Sequence, residues 1–270
     1  YFSKSLGGIV KKFILSLLTL TFLGLATSAN AISIKIGTEG AYPPWNNLNS
    51  AGELEGAEID FGNEACKRMN ANCEWVTQDW DGIIPALLNG KYDIIVAGMS
   101  ITEERKEKVN FTNGYMTDGA RFAVLKGSGL ADLKIAGMDK VNLNNAGGKE
   151  QAAIGQLIAA MDGKVVCVQS STIHQNFLEK HMAGAVEVRL YQAVDDHNLD
   201  LAAGRCDAIL ADVGSIIDFL ETDGGVDVAF TGPTFSGGVF GDGVGGAIRK
   251  EDADILEMWN NVIAEMSADG

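Results

Sequence analysis

Residues able to recognise charge or move protons fall directly after runs that read as β-strands. Glu39, with Tyr42 and Trp45 just beyond, follows IKIGT; Asp79 and Trp80 follow CEWVT; Ser100 follows YDIIVAG; Ser170, Ser171 and Thr172 follow KVVCV; Asp212 follows DAILA. Carboxylates, aromatic faces and hydroxyls at the carboxyl ends of strands suit the ligand crevice of an open α/β sheet. Taken singly, Ser100 and Thr172 would serve equally as turn or N-cap residues. Arg105 supplies the opposite sign. In SITEER the Ser100 hydroxyl can cap a helix whose Glu103 completes a capping box, which puts Arg105 in a first turn, where the dipole disfavours a cation. A carboxylate bound at that helix start accounts for it, taking backbone N–H groups and a bidentate guanidinium contact. A surface pair with Glu104 is the alternative.

Other motifs lead nowhere. Gly241 to Gly246 satisfies G-x-G-x-x-G, but a strand-like GAIRK follows instead of a helix, so dinucleotide binding is rejected. His174 and His181 share a helix face, yet no third ligand is visible at suitable spacing; they are read as solvated, and neither metal nor cofactor is expected. No Ser-His-Asp or Cys-His order carries a supporting local motif.

The elements that position these residues alternate. The strands ISIKIGT, CEWVT and YDIIVAG are interleaved with the helices EIDFGNEACKRMN and DGIIPALLNG, and a second series runs KVVCV, IHQNFLEKHM, VEVRLY, HNLDLAAG and DAILAD. Two similar α/β units follow one another. Residues 127–163, rich in Gly, Asn and Ala, read as an insertion at the edge of the second unit, with one helix over 150–161. RFAVLKG and the segment GPTFSGGVFGDGVGGAIRK are expected to be the two crossings between units, GAIRK returning as a strand to the first.

Residues 1–31 read as a secretory signal peptide: Lys4, Lys11 and Lys12 ahead of the apolar run 13–26, then Ala29-Asn30-Ala31 as cleavage site. Ser16, Thr19 and Thr21 dilute that run, and a span needs about 20 apolar residues, so a membrane anchor is disfavoured. A periplasmic location is expected, with no membrane insertion after cleavage. The chain of 270 residues has a net charge of -15, and losing three lysines makes the mature chain more acidic still. That excludes general affinity for nucleic acid or anionic membranes. In an oxidising space the four cysteines are expected to pair. Spacing favours Cys66 with Cys73, a helix stapled to the following strand; Cys167 with Cys206 is feasible if their strands are neighbours, two buried free thiols being the alternative.

The stretches IGTEGAYPPW, IDFGNEACKRMNANC, DWDGIIPALLNGKYDIIVAGMSITEERKEKVNF, VQSSTIH, LAAGRCDAILAD and FGDGVGGAIRKED resemble bacterial periplasmic amino-acid-binding proteins of ABC importers, in the lysine/arginine/ornithine/histidine group with its octopine- and nopaline-binding branch. The resemblance implies an α/β, two-lobed periplasmic-binding-protein fold of type II, joined by two crossing strands around a ligand cleft: lobe 1 from 32–116 plus 240–270, lobe 2 from 117–239. It further implies that Arg105 grips an α-carboxylate with Thr172 and backbone near Ser171. Asp212, Ser100 and the Gly98 carbonyl hold the α-ammonium, Tyr42 and Trp80 sandwich the side chain, and Glu39 meets its distal positive charge. Ala97 and Val168 complete the set. Glu39, Asp212 and Arg105 together carry one negative charge, matching an amino acid with one positive charge.

Several residues depart from the basic-amino-acid pattern. Glu39 stands for the usual Asp, Ala97 and Gly98 for serines, and Ile173 for a polar residue; Glu39 and the 127–163 insertion are more like the opine branch, though no second cation is evident for an opine's second carboxylate. Relatives continue past AEMSADG by about one helix, so the chain reads as truncated. The expected function is binding without chemistry, by a monomer delivering a cationic amino acid to a permease. An opine ligand, a dehydratase on the same fold and a sensory ectodomain are the alternatives.

Overall fold

A computed structural model describes residues 31–135 and 138–269, so the leader lies, Ala31 apart, outside the described residues. Two sheets carry the architecture. The first has five strands in the order β5-β1-β6-β14-β7, with β1 at Ser33–Thr38, β5 at Asn72–Thr77, β6 at Ile94–Ile95, β7 at Asn110–Phe111 and β14 at Ala247–Ile248. In β1 the side chains alternate, Ile34 and Ile36 fully buried beneath Ser33 and Lys35. Helix α1 (Ala57–Arg68) packs on this sheet; its acids sit in the first turn and Lys67 and Arg68 in the last, as the helix dipole favours. Short strands β2 (Ala41–Tyr42), β3 (Asn46–Leu48) and β4 (Leu54–Glu55) form a small antiparallel sheet beside it. α2 (Ile83–Leu88) and α3 (Glu103–Lys106) follow.

The second sheet has six strands, β11-β10-β12-β8-β13-β9: Glu187–Tyr191, Val165–Gln169, Ala208–Asp212, Ala120–Leu125, Val228–Ser236 and Lys140–Asn142. Its core is built on Phe122, Phe177 and Phe235. α4 (Gly148–Met161) comes from the inserted stretch, whose strand β9 adds to the sheet edge. α5 (Ile173–His181), α6 (Val194–Ala202) and α7 (Val213–Leu220) complete the lobe, and α8 (Ala253–Asp269) packs against α1. No helix among the described residues is long and apolar enough to cross a membrane.

Two expectations are corrected. RFAVLKG is not a crossing: Ala120–Leu125 pairs with β12 and β13 inside the second sheet, where Phe122, Ala123 and Val124 are fully buried. The crossings are 112–119 and 237–246, held side by side by Tyr115 N–H to Val244 O at 3.0 Å and Val244 N–H to Met116 O at 2.8 Å. Nor does Ser100 cap α3. Thr102 does, its Oγ1 accepting from Arg105 N at 3.2 Å, because Ser100 is held in a bridge to Val244. GAIRK does return to the first sheet. Both disulfides are present: Cys66–Cys73, Cα atoms 6.2 Å apart, staples α1 to β5, and Cys167–Cys206, 5.9 Å, joins β10 to the segment before the neighbouring β12.

Candidate functional site

The carboxyl ends of the two sheets face one small cavity between them. Nine of the eleven residues expected to contact a ligand line it: Glu39, Tyr42, Trp80, Ala97, Gly98, Ser100, Arg105, Thr172 and Asp212. Val168 and Ser171 do not. Val168 points to the opposite face of β10, into the core of the second lobe, while its neighbour Gln169 reaches the cavity. Ser171, with φ +57, turns its carbonyl across the cleft to accept from Trp80 Nε1 at 3.0 Å.

Each charge is held by its local structure. Asp212 ends β12 at the N-cap position of α7 yet makes no side-chain cap bond, which leaves its carboxylate to the cleft. There it accepts from the Tyr42 hydroxyl and lies 3.2 Å from His174 Nε2. Burial alone would push its carboxyl up; His174, the Tyr42 hydroxyl and Arg105 outweigh that and hold it below the usual carboxylate range. Arg105 stacks over Trp80, 5.2 Å from the ring centroid, and Nη1 donates to Ser100 O at 3.0 Å. Burial lowers it to about 10. One face of Trp80 therefore steadies the arginine. Glu39 accepts from Gln169 Nε2 at 2.7 Å, and burial raises it to about 7.

Below the site Glu58, 2% exposed, accepts from Gly98 N, the Tyr115 hydroxyl and Asn46 Nδ2. It thereby ties the Gly98 loop to a crossing segment. Further bonds span the cleft: Ser170 Oγ to Asp81 at 2.9 Å and Asn176 Nδ2 to Glu104 at 3.1 Å. The lobes are closed on each other.

Reading strand ends missed Gln169, one residue before the run it named, and two histidines. His174 is not solvated: it is buried against Asp212, because α5 starts at the cleft with Thr172 as cap and so points its first turn inward. His197, on α6, lines the same cavity; burial, with His174 close by and Asn198 opposing, lowers it to about 3. Nothing in its local sequence marks it. No cluster of residues suited to a metal ion occurs among the described residues.

Residues 34–270 match the model of the bacterial extracellular solute-binding proteins, family 3. The chain belongs to that family. This family 3 protein is 40% identical over 226 residues to the octopine-binding periplasmic protein of Rhizobium meliloti, a match covering 84% of this chain and 76% of the relative. It is 36% identical over 263 residues to the L-arginine-binding protein of Pseudomonas aeruginosa, covering 96% and 92%. Among solved structures it is similar to an ancestral arginine-binding protein bound to arginine, with a TM-score of 0.73, 30% identity and coverage of 88% and 93%. It is similar also to a periplasmic His/Glu/Gln/Arg/opine family-binding protein from Silicibacter pomeroyi in complex with lysine, with a TM-score of 0.70, 32% identity and coverage of 88% and 92%.

Proposed function

We propose that this family 3 protein binds arginine, or a close cationic relative, between its lobes in the periplasm and delivers it to the permease of an ABC importer. The observation that carries this is the meeting of Arg105, Asp212 and Glu39 in one cavity. Their net charge of one negative complements a zwitterion with one extra positive charge, and a buried charge left unpaired is costly. Arg105 takes the α-carboxylate, with Thr172 and the backbone at the start of α5. Asp212, Ser100 and the Gly98 carbonyl take the α-ammonium, Glu39 the distal cation, and Tyr42 and Trp80 form the walls. The names of the relatives support the same ligand class.

The protein works as a monomer without chemistry, since each of the three charged groups is occupied by a ligand charge. The lobes divide at 116/117 and 239/240, and a ligand touching both shifts an opening equilibrium toward the closed form.

Thermal-shift screening against arginine, lysine, ornithine, histidine, octopine, glutamine and glutamate tests this. A ligand at a hundredfold its dissociation constant stabilises by about 2.7 kcal/mol. Arginine-like cations are expected to lead, and Arg105→Ala to abolish the shift. A lead by glutamate removes the role of Glu39; consumption of the ligand restores the enzyme reading.

A further inference from the structure

The dipeptide Asn-Gly occurs twice in the chain, as Asn89-Gly90 and Asn113-Gly114. Glycine has no Cβ to hinder the approach of its nitrogen to the preceding carboxamide, and its backbone turns freely, so such a pair can close a ring. Both pairs are exposed. Their backbones separate them. At the end of α2, Gly90 N–H donates to Leu87 O at 2.9 Å and Asn89 N–H to Pro85 O at 3.1 Å, so ring closure there must first break the last turn of a helix. Asn113-Gly114 lies in the crossing 112–119. Neither Gly114 N–H nor the Asn113 carboxamide makes a hydrogen bond among the described residues, whereas the chain is fixed on both sides. Thr112 is buried; its Oγ1 accepts from Gly246 N at 2.9 Å and donates to Asn113 O at 2.8 Å. Asn113 N–H donates to Asn260 Oδ1 on α8 at 2.7 Å, and Tyr115 N–H to Val244 O at 3.0 Å. One free peptide therefore joins the anchors that tie this crossing to α8 and to its neighbour.

We propose that Asn113 is a site of spontaneous modification, deamidation through a cyclic imide, and that the product loosens the crossing and with it the closed form. The backbone nitrogen of Gly114 attacks Cγ of Asn113. A bond forms between them, the bond from Cγ to the amide nitrogen breaks, and ammonia leaves with the proton from Gly114. Water then opens the imide at one of its two carbonyls. Attack at Cγ gives aspartate; attack at the backbone carbonyl gives isoaspartate, whose chain runs through the former side chain. The sum is asparagine and water to acid and ammonia, with nothing oxidised or reduced. Isoaspartate adds one methylene to the backbone between the bonds made by Asn113 and Tyr115, so the register of Tyr115 against Val244 shifts. The Tyr115 hydroxyl, which donates to Glu58 beneath the Gly98 loop, shifts with it. The effect on closure rests on the opening equilibrium proposed above; the modification itself does not.

Peptide mapping by mass spectrometry of the full chain incubated at pH 7 and at pH 8.5, with enzymatic methylation to mark isoaspartate, tests the site. Asn113 is expected to convert about tenfold faster than Asn89, the factor for breaking one or two backbone hydrogen bonds, and faster at pH 8.5, because the attacking nitrogen must lose its proton. Gly114→Ala is expected to slow conversion at Asn113 and leave Asn89 unchanged. Equal rates at the two asparagines, or an intact Asn113, overturn the inference. Should the alanine variant not fold, the wild-type map still decides. The modified protein carries one more negative charge, so anion exchange separates it. Small-angle scattering without ligand is expected to give it a larger radius of gyration than the unmodified protein. Equal radii overturn the link to closure. A protein that deamidates at Asn113 and opens as expected, yet binds no cationic amino acid, sinks the ligand assignment and leaves this inference standing.

Discussion

The hydroxyl of Tyr42, on the first lobe, donates to the carboxylate of Asp212, on the second. This bond closes the cleft through the same carboxylate that is assigned to the ligand's nitrogen. A hydrogen bond to a charged group is worth about 1.5–3 kcal/mol, so Tyr42→Phe is expected to lower the closed-to-open ratio of the ligand-free protein about tenfold or more. Small-angle scattering checks it: the radius of gyration without ligand should rise and return under saturating arginine. An unchanged radius contradicts it.

Glu39 makes binding depend on pH. Burial, helped by Asp79, Asp81 and Asp195 and opposed by Gln169, raises it to about 7. A carboxyl raised in the folded state is protonated there more readily than in the unfolded chain. It therefore favours the ligand-free fold as pH falls from about 7 toward the unperturbed range and loses that contribution as pH rises through about 7. A guanidinium needs the ionised form. Arginine affinity is expected to weaken by up to about tenfold for each pH unit below 7, with proton release. Asp118, raised to about 6 by burial and by Asp212, titrates nearby. Glu39→Gln separates the two: calorimetry from pH 5.5 to 8.5 should give a flatter profile in that variant, and an equally steep one contradicts the role of Glu39.

Most of the frame was legible because each strand ends where chemistry begins. The alternating β1 and the runs behind Glu39, Trp80, Thr172 and Asp212 led directly to the cavity. The crossings were misplaced because RFAVLKG looks like any buried strand, and whether a strand bridges lobes or lies within one depends on pairing partners far along the chain. Spacing on α5 links His174 with His181, but only the approach of β12 shows that His174 faces Asp212 while the His181 ring lies tilted against Phe177, centroids 5.0 Å apart. His197 was hidden for the same reason: its depth comes from α6 folding against β10 and β12.

Gly98 is required by its conformation and by its neighbour. Its φ is +59, and an added Cβ would stand 2.7 Å from Tyr42 Cε1. Gly98→Ala is expected to cost about 1–2 kcal/mol for the left-handed backbone, a fall in melting temperature of about 2–8 °C at this size. It also displaces the Tyr42 ring, so arginine affinity should fall more than the melting point suggests. Calorimetry beside thermal melting separates the effects, and a variant that melts lower with full affinity contradicts the contact.

The two disulfides should differ in what their removal costs. Cys66–Cys73 spans a sequence separation of 7, whereas Cys167–Cys206 spans 39. In the chain-entropy account the longer loop loses more freedom in the unfolded chain, which gives about 2.5 kcal/mol for the first and about 4 kcal/mol for the second. None of the four cysteines lines the cavity, so removal acts on folding and not on ligand contacts. Urea titration of the paired alanine variants is expected to place the Cys167/Cys206 variant at the lower midpoint. Equal midpoints, or the reverse order, would show that contacts within the folded lobes and not loop length set the difference.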